Sequence, residues 1–297
     1  MLNWVAAEIP TPFALDKVNC YLIKDEPVTL IDPGPWTSDA LRAVNDFLDS
    51  EGLMPEDVAR VITTHAHVDH HGMLGWFAER GAETYVHEKD LPKINHYCHL
   101  EFWWDIMEQA ECPLKILDQL SPYLQREKQF SYSYSESNFV TVSDGDRLSF
   151  SSGELQVLHA PGHSAGQIVL WEEKTGGLFS GDFLLPNIYT GPVMEMSPDG
   201  KWNHPLQEMM AAFSRLADLP VLMTMPGHGN PFAYYSKRLR ELRQYHLDMA
   251  ARVRDLCESG KSIFEVVRTI FPRVSDWNLA VAVSQVWAYR DYWLRRM

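Results

Sequence analysis

The chain has 297 residues, of which 45% are hydrophobic and 22% charged, a profile that excludes disordered, fibrous and low-complexity classes and allows one large domain or a medium one with a small companion. Its formal net charge of −14 argues against a nonspecific polyanion binder, because Lys and Arg carry affinity for phosphates. The charge is uneven: from residue 231 onward 12 Lys and Arg stand against 7 Asp and Glu, which leaves the tail open as a contact surface.

The opening residues carry Glu8 and two prolines, with no basic stretch ahead of an apolar run, so no secretory signal is expected. No segment reaches the roughly 20 apolar residues of a membrane helix. Cys20, Cys98, Cys112 and Cys257 show no CxxC spacing and read as free thiols; the expected location is the cytoplasm, with no membrane partner. Cys20 reads as a core strand residue.

Residues 18–32 are predicted to form two short strands around an Asp25-Glu26-Pro27 turn. A helix over 37–51 follows, with Ser38 as N-cap and Leu41, Val44, Phe47 and Leu48 on one face. Then come a strand at 58–64, a polar loop at 65–71, a helix at 72–80 stopped by Gly81, and a strand at 84–87. This order predicts a layered α/β architecture with ligands gathered at strand ends. Residues 90–138 break the rhythm and read as a helical insertion with a Ser/Tyr-rich exit. Strands resume at 140, 148–150, 155–159, 168–171, 178–179 and 221–225, and the tail reads as three helices, 234–257, 262–271 and 275–296, capped by Ser262 and Ser275.

The chemistry concentrates where strands end. Thr64-His65-Ala66-His67-Val68-Asp69-His70 puts three imidazoles and a carboxylate behind one strand, and these are the ligand types of zinc and iron. Three more candidates follow strands beside glycine: His163 after Gly162, Asp182 after Gly181, and His228 between Gly227 and Gly229. Glycine permits the tight turn that points a short side chain back at a shared centre. Incidental polar loops do not explain so many recurrences.

In the order HxHxDH, His, Asp, His, the sequence resembles the metallo-β-lactamase superfamily over roughly residues 18–230. The resemblance implies a four-layer αββα sandwich. It also implies two divalent metal ions, zinc first and iron or manganese as alternatives. His65, His67 and His163 would hold one metal, Asp69, His70 and His228 the other, and Asp182 would bridge them. Two cations about 3.5–4 Å apart can share a hydroxide and stabilise an oxyanion, so a bridging hydroxide is the expected nucleophile. Asp69 would orient it as the catalytic carboxylate. Asp32, in Ile31-Asp32-Pro33-Gly34, resembles a supporting carboxylate behind the ligands. His71, His87, His96, His99, His159, His204 and His246 show no partner pattern and read as surface or packing residues.

The expected organisation is a catalytic unit over 1–230, with its helical insertion at about 90–138, and a small all-helical C-terminal unit over 231–297. That unit resembles the helical extension of glyoxalase-II-like hydrolases; it either packs on the catalytic part or supports a homodimer. Phe102, Trp103, Trp104 and Met107 in the insertion, with Tyr189, form the candidate substrate pocket. Aromatic stripes at helical spacing are more often core, however, and both readings stay open.

The leading function is a hydrolase of an ester, thioester or lactone, with a small-molecule substrate. The basic residues with which glyoxalase II holds glutathione do not map onto Arg238, Arg240 or Arg243. An endoribonuclease or phosphodiesterase of the same superfamily is disfavoured by the acidic catalytic portion and by the lack of a winged-helix pattern in the tail, so nucleic acid is not the expected partner. A mononuclear iron persulfide dioxygenase would use a subset of these ligands, and a non-hydrolytic ligand sensor would not need the full set. A true β-lactamase is disfavoured by the absence of an export signal.

Overall fold

Runs of β-branched and apolar residues between turn signals form two sheets in the computed structural model, which describes residues 2–95, 100–113, 116, 127–132, 139–197, 200–274 and 276–296. The first sheet holds β1 (Trp4–Pro10), β2 (Lys17–Ile23), β3 (Thr29–Ile31), β4 (Arg60–Ile62), β5 (Glu83–His87) and β6 (Phe139–Val142), side by side in chain order. β1 to β3 are antiparallel, and each strand from β3 to β6 is parallel to the next. The second sheet has the order β11 (Met223–Pro226), β10 (Gly177–Gly181), β9 (Ile168–Glu172), β8 (Glu154–His159), β7 (Arg147–Ser149). Only its β10–β11 pair is parallel.

Parallel neighbours need crossovers. α1 (Ser38–Ser50) makes the one between β3 and β4 and buries Ala40, Val44, Phe47 and Leu48 against the first sheet, worth about 2 kcal/mol per large side chain. Its N-cap is Thr37, whose hydroxyl accepts from the Ala40 N–H at 3.1 Å, and not the expected Ser38. Both residues can cap, and the extended backbone of Thr37 decides between them.

Three apolar clusters define the layers. Tyr21, Ile23, Ile31 and Ile62 of the first sheet meet Leu155, Val157, Leu170, Phe179 and Met225 of the second, forming the interior of a sandwich. α1 and α3 (Leu74–Ala78) cover the outer face of the first sheet. The outer face of the second, including Leu158, Val169 and Leu178, is covered by α6 (Pro205–Leu216) and the tail helices α7 (Tyr235–Glu258), α8 (Ile263–Ile270) and α9 (Asp276–Leu294). The result is the expected helix, sheet, sheet, helix order with a helical C-terminal region. The tail helices share one apolar cluster with the second sheet rather than closing on themselves. No helix among the described residues is long and apolar enough to cross a membrane.

β1 and α6 are two elements the sequence expectations lacked. α6 carries Leu206, Met209, Met210, Phe213 and Leu216 in one buried stripe behind Pro205 in its first turn, a legible helix signal. β1 is a half-buried edge strand with little alternation to read. In the insertion, α4 (Leu91–Asn95) and α5 (Leu100–Gln109) are present. Most of the stretch from 114 to 138, Ser275, His96, Cys98 and His99 lie outside the described residues.

Candidate metal centre

Each candidate ligand sits just past a strand, all at one end of the two sheets. Asp32 follows β3 with φ of 54°. Its carboxylate accepts from the Thr64 N–H at 2.7 Å and the Thr64 hydroxyl at 2.8 Å, so the ends of β3 and β4 are fixed together. The chain then passes His65 and His67 into α2 (Val68–His71), a single turn carrying Asp69 and His70. His70 Nδ1 lies 2.9 Å from Asp32 Oδ2. His71 on the same turn is buried too.

The second sheet supplies the rest from its loops. His163 follows β8, with Nδ1 3.2 Å from the Gly191 carbonyl. His228 follows β11, with Nδ1 against the Lys17 carbonyl. The loop of His228 is held by Asn19 of β2, whose side-chain amide donates to the carbonyls of Pro226 at 2.9 Å and Gly229 at 2.7 Å. Asp182 follows β10. Its carboxylate stands 3.5 Å from His70 Nε2 and 3.6 Å from both His163 Nε2 and His228 Nε2, while Asp69 Oδ2 is 3.5 Å from His228 Nε2. His65 Nε2 and His67 Nδ1 are 2.9 Å apart. All seven residues named from the sequence thus come together, and three overlapping groups, His65/His67/His163, His65/His70/Asp182 and Asp69/His70/His228, each place ligand atoms within 4.8 Å of one another.

The donor set fits metal ions. His70 Nε2, His163 Nε2, His228 Nε2 and Asp182 Oδ1 are buried with no hydrogen-bond partner, and such orphaned groups are costly unless something satisfies them. Two ligand atoms at about 2.1 Å from one tetrahedral cation stand about 3.4 Å apart, close to the spacings just given. Burial first, and neighbouring imidazoles second, hold His65 and His67 well below the ordinary histidine range; burial also lowers His163. These rings are neutral, with lone pairs to offer. Burial opposes protonation of His70 as well, but the carboxylates of Asp32, Asp182 and Asp69 outweigh it and raise His70 to about 10. Three acidic groups in one buried site require positive charge, from imidazolium or from a bound cation.

The pocket residues named from the sequence divide. Met107 is buried in the cluster under the tail helices and Trp104 packs against it, whereas the side chains of Phe102 and Trp103 lie outside the described residues. Tyr189 is 44% exposed. It stacks on Tyr245 of α7 with ring centroids 4.2 Å apart, over the Arg238 guanidinium at 4.4 Å. Arg238 is buried and donates to the carbonyls of Leu185 at 2.7 Å and Ile188 at 2.6 Å, so it holds the loop after Asp182 and is not presented to solvent. Among the other histidines, His87 and His159 stack at 4.2 Å, His204 lies 2.9 Å from Asp291, and His246 is buried against the Tyr289 hydroxyl. Asn19, Asp90, Lys93, Ser164 and Glu195 are polar groups behind the ligands that no sequence pattern singled out.

A family model described as Metallo-beta-lactamase superfamily matches residues 14–228. The chain is 30% identical to the "Probable metallo-hydrolase YqjP" of Bacillus subtilis, over 97% of this chain and 91% of that one. It is 28% identical to the human "Acyl-coenzyme A thioesterase MBLAC2", over 79% of this chain and 80% of that one. Among solved structures, the metallo-beta-lactamase family protein TTHA1429 from Thermus thermophilus superposes with a TM-score of 0.85 at 25% identity, covering 99% of this chain and 93% of that one. With the family model spanning most of the sequence, the chain belongs to the metallo-beta-lactamase superfamily and is a metal-dependent hydrolase of it.

Proposed function

We propose that the chain hydrolyses an acyl thioester at a two-metal centre, with zinc as the first candidate metal. The observation that carries this reading is the convergence of seven candidate ligands, four of whose inward atoms (His70 Nε2, His163 Nε2, His228 Nε2 and Asp182 Oδ1) are buried with no hydrogen-bond partner. His65, His67 and His163 would hold one ion, Asp69, His70 and His228 the second, and Asp182, within 3.6 Å of His70, His163 and His228, would bridge them. When bound, two such ions activate water near neutral pH and stabilise the oxyanion of acyl transfer.

The chain's own residues prepare that chemistry. Asp32, the Gly191 carbonyl and the Lys17 carbonyl take the Nδ1 protons of His70, His163 and His228, which fixes the tautomer that leaves each Nε2 lone pair facing the site. Asp69 is the most open of the carboxylates, at 16% exposure, and is placed to accept a proton from an attacking water and to orient it. No Ser or Cys nucleophile is needed. The catalytic work belongs to residues 1–230, with the insertion at 90–138, and the extension at 231–297 braces it through Arg238. Likeness to proteins named acyl-coenzyme A thioesterase supports a thioester over a lactone.

The test is a panel of acyl-coenzyme A esters, lactones, phosphodiesters and RNA offered to the purified protein. Release of free thiol from the acyl thioesters, lost on chelation and restored by metal, is the expected result. RNA or phosphodiester cleavage without thiol release would overturn the reading.

A further inference from the structure

We infer that Asp90 is a positioning residue of the metal centre, a buried carboxylate that sets the spacing between the two loops bringing His65, His67 and His163 together. The inference rests on reading those three imidazoles as one metal subsite.

Asp90 lies just beyond β5 and is fully buried. One of its oxygens accepts from the N–H of Ala66, between His65 and His67, at 2.7 Å. The other accepts from the N–H of Gly166, in the loop of His163, at 2.7 Å. The Ser164 hydroxyl stands 2.7 Å from both oxygens. One carboxylate therefore grips the first loop with one oxygen and the second loop with the other. The fit is close, since a Cβ on Gly166 would meet the Asp90 carboxyl carbon at 2.5 Å.

Lys93 and Glu195 complete the device. The Lys93 ammonium pairs with Asp90 and donates to Ser164 Oγ at 2.6 Å and to Glu195 at 2.8 and 2.9 Å. Glu195 in turn accepts from the Ala165 N–H at 2.9 Å. The three N–H donors of Lys93 are thereby used within the protein, so its role is to hold the carboxylate rather than to grip a substrate anion. Every neighbour named around Asp90 is a donor. An amide at this position would turn its own N–H bonds against one of those donors, leaving a loop unheld.

A residue that merely staples the fold would lower the melting temperature and leave the metal affinities alone, or weaken both alike. Groups that orient metal ligands instead change affinity by about 10- to 100-fold at the ligands they orient. The experiment titrates zinc into the metal-free full-length protein against a chromophoric chelator, for wild type, Asp90→Asn and Ser164→Ala, with His163→Ala and His228→Ala marking which subsite is which. In Asp90→Asn, the affinity that His163→Ala abolishes should fall about 10- to 100-fold, and the one that His228→Ala abolishes should stay within about threefold of wild type. Ser164→Ala should show the same selectivity to a smaller degree, and it decides the question alone if Asp90→Asn does not fold. Two unchanged affinities, or two falling together, would overturn the inference. A wild type that takes up a single zinc contradicts the two-metal reading instead, and Asp90 is then judged by whether that one affinity falls.

Discussion

Gly227 stands where a single methyl group should disable the centre. Its N–H donates to the Gly181 carbonyl at 2.8 Å, and its own carbonyl accepts from the Asn19 N–H at 2.7 Å, so the backbone cannot back away. A Cβ at this position would fall 2.3 Å from Asp182 Oδ1 and 2.8 Å from His70 Cε1, whereas ordinary contacts begin at about 3.5 Å. Asp182 must therefore yield by about 1 Å, and a displacement of that size at a catalytic group costs on the order of 100-fold. Overpacking adds about 1–3 kcal/mol of lost stability, which a folded chain can bear. Because Asp182 is the proposed bridge, Gly227→Ala should lower kcat/KM for acyl thioester about 100-fold and reduce the content of both metals. Thiol release and elemental analysis read the two effects. Gly153→Ala is the control, since its Cβ would meet Leu2 at an unstrained 3.5 Å. A Gly227→Ala protein with wild-type turnover and full metal content would refute the placement of Asp182 and His70 at the reacting centre.

Asp69→Asn should cut kcat by about 10³-fold, as expected for loss of a positioned base, while circular dichroism reports an unchanged fold; near wild-type turnover would exclude Asp69 as the group that orients the water. Trp104→Ala should lower stability by about 2–3 kcal/mol in urea melts with little change in KM, because Trp104 packs against the core under the tail helices; a raised KM for long acyl chains at unchanged stability would restore the lid reading. Burial lowers His246 from 6.5 to about 4. At neutral pH the ring is uncharged in both states, but below about 6.5 only the unfolded chain takes up the proton. The contribution of His246 to stability should therefore fall by about 3 kcal/mol as pH drops from 6.5 towards 4, then level off. His246→Gln should remove that part of the dependence in melts run at pH 7 and pH 5, leaving the parts due to His71 and His87, which burial also lowers to about 4.

The cluster of candidate ligands was legible because metal chemistry restricts the residue types and each candidate follows a strand that reads plainly in the sequence. HxHxDH could be read locally, and the Gly-His and Gly-Asp steps marked the other strand ends. Asp32 was visible only through the family resemblance. What escaped was the scaffolding behind the ligands. Asp90 and Glu195 look like any surface acid until β5 and the loop after Asp182 carry them inward beside Lys93, and those hydrogen bonds join residues 24 to 102 positions apart. Asn19 is still more remote, acting on Pro226 and Gly229 from 207 and 210 residues away. α6 lies in the stretch between the predicted strands at 178–179 and 221–225, for which no element is expected, although its buried stripe is regular. The place of Met107 was open because an apolar helix face does not say which surface will cover it; here α5 meets the tail helices.

Metal content measured beside turnover reaches the central claim most directly. Protein purified without added metal, analysed for zinc, iron and manganese and assayed for acyl thioester hydrolysis, should hold about two ions per chain, and activity should rise and fall with their number. Full turnover in protein holding one ion or none, with His70 and His228 unliganded, would contradict the two-metal centre.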